Sequence, residues 1–360
     1  MKPGSESPRA TLPTGSVLPP FANDEQIDIP AEMKDLVERL RSITGFITTL
    51  HDISDVRPLV FGRYYHVRRV AWLASWLSDF QERAALNSSR VAWLAWAHDL
   101  NRWPFAHNSE KGRFDQTADL GRFIRATSLI SSWESLGYRD DKSLLADIEG
   151  IVSKQISNLS PEAALVLLAD VVSGFIEDPL LAITGIDLRL EMIPADVGRE
   201  LAFPLQDREF AERLYGLNVL LYENRDVTRF VHEFDAIFQR CAVSFILAHS
   251  LTSEDALGRQ SFSALRSRVK EGFLRATLFP YNNERISHGS RLRAELVNPL
   301  LGILGSDMAR IFTTIHEDEL LVMAVENELI TADRCVNYIP ELDYVMTHEP
   351  QNSFRNTYDR

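Results

Sequence analysis

An all-α fold is what this sequence predicts. Apolar residues recur at helical spacing along almost the whole chain, and alternating apolar–polar runs are scarce. Neither a GxGxxG nor a Walker A phosphate loop occurs, which removes the commonest α/β nucleotide-binding designs. The 360 residues are 45% apolar and 25% charged, an ordinary globular composition for one large domain or two smaller ones.

Residues 1–26 are rich in Pro, Ser, Gly and Thr and carry too little apolar surface to offset their ordering entropy; a disordered tail is expected there. The helices follow. Residues 31–44 place Met33, Leu36, Val37 and Leu40 on one face, and residues 64–80 do the same with Val67, Val70, Leu73, Ala74 and Leu77. Residues 89–98 are apolar on nearly every side, with Val91, Trp93, Leu94 and Trp96, which predicts a helix buried all round and stopped by Pro104. Ser160-Pro161-Glu162 is a start signal for a helix over 161–177. Further helical patterns cover 207–224, 226–249, 253–276, 296–315 and 317–328, the last opened by Glu317-Asp318-Glu319, which suits a helix dipole. The best short strand pattern is Leu188 to Met192.

Charge and cysteine usage bound the function. With 38 basic and 51 acidic residues, the net charge of −13 is a poor match to a nucleic-acid backbone but leaves room for a small anion held by local cations. Cys241 and Cys335 are distant and share no CxxC spacing, as in a reducing compartment without a thiolate metal site. No apolar run is long enough to span a bilayer, and the first residues lack a signal-peptide core; a soluble, cytoplasmic protein without membrane partners is expected.

Polar residues at otherwise apolar helix positions locate the candidate site. His98 and Asp99 end the greasy helix, His66 lies near the start of another, and Asp170 sits within Val-Leu-Leu-Ala-Asp-Val-Val. Burying an imidazole beside a carboxylate is unfavourable unless something pairs with both. Two imidazoles and two carboxylates suit a divalent transition ion. The alternative is that these are satisfied core or capping residues; His51-Asp52 shows that such pairs also arise by chance. Trp72, Trp76, Trp93 and Trp96 fall at core spacing, whereas Trp103, in the loop after His98-Asp99, is the better candidate to stack a nucleobase. Arg266, Arg268, Lys270, Arg285 and Arg291 read as solvated basic faces, with a triphosphate tail or an allosteric nucleotide as the alternative.

His98-Asp99-Leu-Asn-Arg-Trp-Pro104-Phe105-Ala-His107-Asn-Ser-Glu110 resembles the signature of the HD-domain phosphohydrolases, in particular the deoxynucleoside triphosphate triphosphohydrolase branch (dGTPase-like and SAMHD-type). Arg63-Tyr-Tyr-His66 resembles that family's Arg-x-x-His. Ala169-Asp170 through Asp178 resembles its Ala-Asp-Asp-Ile-x-Tyr segment and the acid beyond it. The likeness is collinear from about residue 36 to 250.

The resemblance implies an HD-domain helical bundle over 27–250 and an added helical C-terminal region over 251–360 that packs on the core or makes homo-oligomer contacts. It implies one divalent metal, manganese first and iron, cobalt, nickel, zinc or magnesium as alternatives, held by His66, His98, Asp99 and Asp170. Arg63 and Asp178 would bind substrate, His107 with Glu110 would transfer protons, and Arg102, where the family has His, would act as a phosphate clamp in its place. The implied reaction is hydrolysis of a (deoxy)nucleoside triphosphate to nucleoside and triphosphate. The alternatives are a nucleoside monophosphate phosphatase, a phosphodiesterase, or a nucleotide-binding regulatory protein with weak turnover; a di-iron HD oxygenase would need a second ligand set that the chain does not obviously offer. Three departures bear on these: no His lies between Glu110 and Asp170, where SAMHD-type members use one. Arg102 stands where the family has His, and Gly174 stands where triphosphohydrolases often have a sugar-packing Tyr.

Overall fold

A computed structural model describes residues 28–41, 62–80, 86–104, 114–155, 158–185, 190, 193–205, 207–220, 226–251, 264, 267–269, 271, 295–305, 312–315 and 317–329. Among these residues every regular element is helical and there is no strand. Of the strand pattern at Leu188 to Met192 only Leu190 is described, and it lies in a 3-10 turn. The expected tail at 1–26 lies outside the described residues.

The helices are α1 (Lys34–Arg39), α2 (Arg63–Phe80), α3 (Ser88–Ala97), α4 (Gln116–Ala126), α5 (Asp141–Ser153), α6 (Pro161–Gly185), α7 (Ala195–Glu200), α8 (Arg208–Asn218), α9 (Val227–Ala248) and α10 (Glu317–Glu326). A further helical stretch covers 295–305. Long α6 is the hub: it packs on α2, α3, α5, α8 and α9, and α2 also packs on α3 and α9. Its sequence explains this position, because Val166, Leu167, Leu168, Ala169, Val172, Ile176 and Leu180 are all buried, on more than one face.

Several boundaries differ from the sequence reading for local reasons. Helix α3 ends at Ala97, well before Pro104, because the Leu100 N–H returns to the Ala97 carbonyl at 3.2 Å and closes a turn. Helix α6 continues through Pro179 to Gly185 instead of stopping at 177, held by packing on both sides. The pattern over 296–315 is not one helix: Gly305 takes a left-handed φ of +76°, outside the helical range, and Phe312–Thr314 forms a 3-10 turn. Helices α4 and α5 were not anticipated, although each has an aspartate cap. Asp115 accepts from the N–H groups of Thr117 and Ala118, and Asp140 accepts from that of Ser143.

The buried apolar side chains form two clusters. The larger one joins α1 to α9. The smaller one gathers Leu296, Val297, Leu300, Phe312, Leu320, Leu321 and Ala324 around Trp103. Trp103 is only 6% exposed, stacked on Phe114 at 5.0 Å and against Phe312 at 4.5 Å between ring centres. It is core, not an open platform for a base, because the C-terminal helices close over it.

Candidate metal centre

Helix α2 brings His66 in one turn after its start, the turn after α3 brings His98, and the middle of α6 brings Asp170. These three elements pack directly on one another. One ligand atom from each residue lies within 4.8 Å of the other two. His66 Nε2 is 3.3 Å and His98 Nε2 is 3.8 Å from Asp170 Oδ1, and the two rings are 6.0 Å apart.

The outer nitrogens decide what the inner ones can do. His98 Nδ1 is 2.6 Å from the Ala95 carbonyl and His66 Nδ1 is 2.7 Å from Glu177 Oε2. A carbonyl and a carboxylate only accept, so both Nδ1 atoms carry the proton. In the neutral rings, the lone pair then sits on Nε2. Both Nε2 atoms are buried without a hydrogen-bond partner. Buried polar atoms are seldom left so. Two unpartnered imidazole nitrogens converging on one carboxylate oxygen fit a divalent ion, and an outer carboxylate on His66 is the usual support for a metal-bound histidine.

Asp99 is held differently. Its Oδ2 accepts from Arg63 Nε, and its Oδ1 lies 2.8 Å from Arg102 Nε and 3.3 Å from Gln116 Nε2. It is therefore not one of the three converging ligands; two arginines flank it. Burial alone would raise its pKa, but the charges of Arg102 and Arg63 hold it well below the usual carboxylate range. Asp170 is also held well below that range: burial opposes, while the Lys154 charge and the adjacent His66 imidazole prevail. Lys154 donates to Asp170 Oδ2. Burial lowers the His98 pKa. For His66, burial and Arg63 push down, Glu177 and Asp170 push up, and the net shift is upward.

Behind the ligands lies a layer of buried ion pairs. Glu177 reaches Arg69 at 3.5 Å, and Arg69 Nε bonds Asp235 Oδ1 at 2.7 Å; Asp235 also accepts from Arg68. On the other side, buried Arg39 donates to the carbonyls of Arg102 and Ile315, each at 2.8 Å, tying the loop after α3 to the C-terminal region. Asp178 is partly buried, and burial next to Glu177 pushes its carboxyl up to about 7.

Of the residues named from the sequence, His66, His98 and Asp170 come together, Asp99, Arg63 and Arg102 form the adjoining group, and His107 and Glu110 lie outside the described residues. Glu177, Lys154, Gln116 and Arg39 were missed. Glu177 had a readable signal: at seven residues from Asp170 it returns to the same helix face within about 20°. Of the basic residues set aside as solvated faces, Arg268 pairs with Glu200 at 3.2 Å on the surface, and the other four lie outside the described residues. His249 Nε2 bonds the Glu200 carbonyl at 2.7 Å, a structural role.

Compared with known proteins, the chain matches no family model and no curated protein sequence. No helix among the described residues is long and apolar enough to cross a membrane.

Proposed function

We propose that this chain is a metal-dependent phosphohydrolase of the HD-domain type that acts on a nucleotide. One observation carries the reading: two buried imidazole Nε2 atoms without partners face one carboxylate oxygen, each ring locked by an acceptor on its far nitrogen. The elements that supply them follow the chain order of the resembled motifs, from the start of α2 to the end of α3 to the middle of α6.

His66, His98 and Asp170 would hold the ion, with Asp99 beside it. A divalent ion held there would supply Lewis-acid polarisation of a phosphoryl oxygen and a bound water of lowered pKa. The chain's own residues do the rest. Arg63 and Arg102 put two guanidinium groups beside the ligands, and their forked donors match phosphate oxygens. Gln116 braces Asp99. His107 and Glu110 are the proposed proton-transfer pair on the strength of the motif. Arg102 in place of the family's His argues for a clamp on phosphate over a second imidazole. Among the described residues nothing lies within 4 Å of where a Gly174 Cβ would be, and none of them offers a ring for the sugar to pack on there. That favours tolerance of both ribo- and deoxyribonucleotides.

The test is a product assay. Protein stripped of metal and reloaded with Mn²⁺ is given each ribo- and deoxyribonucleotide as mono-, di- and triphosphate, with Asp170→Ala as the reference. Release of intact triphosphate is the expected result. Orthophosphate would move the chain to a phosphatase reaction, and no metal-dependent turnover would leave nucleotide binding without catalysis.

A further inference from the structure

The cation on Asp170 has no counterpart among the resembled motifs. Lys154 is the residue that caps α5, at φ 58° and ψ 36°, with its N–H returned to the carbonyls of Gly150 and Ile151. Glycine adopts that left-handed conformation freely and a lysine does not. The strained backbone places a long side chain across the gap to α6. There its ammonium bonds Asp170 Oδ2, while Oδ1 of the same carboxylate faces both imidazoles. The two oxygens are thus divided between the ligand group and the lysine.

An ammonium has three N–H donors, and the bond to Asp170 uses one. The Lys154 side chain is 36% exposed whereas that of Asp170 is 9% exposed, so the lysine stands where the buried ligands meet solvent. Charge points the same way. Among the described residues, Asp170 is the only carboxylate that converges with the two imidazoles; Asp99 is matched by two arginines, and Glu177 with Asp235 is matched by Arg69 and Arg68. A divalent ion added to this set leaves it net positive, with Lys154 unneeded for balance. At Gly174, one turn beyond Asp170 on α6, no described residue comes within 4 Å of where a Cβ would be, which leaves room near that carboxylate.

We propose that Lys154 is an anion-binding residue of this centre: braced on Asp170 Oδ2, its ammonium donates to a phosphoryl oxygen of a ligand seated beside the metal. This deepens the metal-site reading above and rests on it. The competing account is that Lys154 only neutralises Asp170 until an ion arrives.

Titration calorimetry on the full chain separates the two. Mn²⁺ is titrated first, then inorganic phosphate and tripolyphosphate into the Mn²⁺-loaded protein, for the parent, Lys154→Met and Lys154→Arg. Lys154→Met is expected to weaken phosphate and tripolyphosphate at least about tenfold, with Mn²⁺ affinity changed less than about threefold. Lys154→Arg is expected to recover most of the loss. Lys154→Gln, which keeps a donor to Asp170 without the charge, carries the same expectation if Lys154→Met does not fold. Unchanged phosphate affinity overturns the proposal, all the more if Mn²⁺ then binds more tightly, since that is the counter-ion account. A parent that binds no Mn²⁺ overturns the metal reading; phosphate binding that still depends on Lys154 in that protein would support the lysine's role alone.

Discussion

Each histidine of the centre is oriented by the nitrogen that faces away from it. His98 relies on a backbone carbonyl one turn back, which any helix end offers, but His66 relies on the Glu177 side chain. Burial would raise the Glu177 pKa, and the His66 and Arg69 charges hold it low instead, so it remains an anion behind the ring. Glu177→Gln keeps an acceptor for Nδ1–H but removes that charge. Mn²⁺ affinity measured by calorimetry is expected to fall about 10-fold or more, the size of effect seen when a carboxylate behind a metal-bound histidine is changed. An unchanged affinity would mean that the Glu177 charge does not support His66 as a ligand. His66, His98 and Asp170 were legible in the sequence because each interrupts an apolar helix. Glu177 was obscured by its neighbour: Asp178 matches the motif, yet it lies about 80° round the helix from Asp170 while Glu177 lies within about 20°. Asp99 was legible as buried and charged, but its pairing with Arg63 and Arg102 depends on how α2 and the loop after α3 meet.

At the scale of elements, α2 and α9 are joined by charge inside an apolar contact. Arg68 and Arg69 are consecutive on α2, and both bond Asp235 of α9, which is 1% exposed. Removing one partner of such a group leaves buried charge uncompensated. Asp235→Asn is therefore expected to lower unfolding free energy by about 3 kcal/mol in urea titration. A loss below about 1 kcal/mol would show that solvent reaches the pair. The same variant should loosen the Glu177 side chain through Arg69, linking stability to the centre. The helices themselves were largely readable. Helix α9 spans Val227–Ala248 against an expected 226–249, since Asp226 caps it by accepting from the Arg229 N–H and its apolar period is unbroken. Helix α5 was not read, although Leu144, Ile148 and Ile151 repeat at helical spacing behind the Asp140 cap. It matters functionally, because Lys154 ends it.

The whole molecule couples the centre to both ends of the described chain. Arg39 of α1 holds the loop after α3 and the Ile315 carbonyl together, and Trp103 of that loop is sealed by Phe312. A ligand that orders the centre therefore stabilises three regions at once. Free Mn²⁺ at about 100 times its dissociation constant is expected to add about 2.7 kcal/mol to unfolding free energy, reversed by chelator. The effect has a pH sign. The His66 pKa is raised above the ordinary imidazole value of 6.5. At low pH, protonated His66 cannot ligate, while its contacts with Glu177 and Asp170 stabilise the metal-free fold. As pH rises through the raised pKa that metal-free contribution is lost and the ligand becomes available. The Mn²⁺-induced rise in melting temperature should thus widen from about pH 5.5 to pH 8; a shift that narrows over that range would contradict ligation by His66.

The sequence by itself determined that the described chain is helical, where most helices lie, and which polar residues interrupt their apolar faces. Those features depend on spacing within one element, and hydrophobic period and capping report spacing directly. Only the tertiary structure decided that Trp103 is enclosed, that Asp99 belongs to two arginines, and that Glu177 and Lys154 reach His66 and Asp170. Those outcomes rest on distances between side chains far apart in sequence: Glu177 lies 111 residues from His66. No local pattern encodes which helix meets which, or at what angle; the packing of α2, α3 and α6 does.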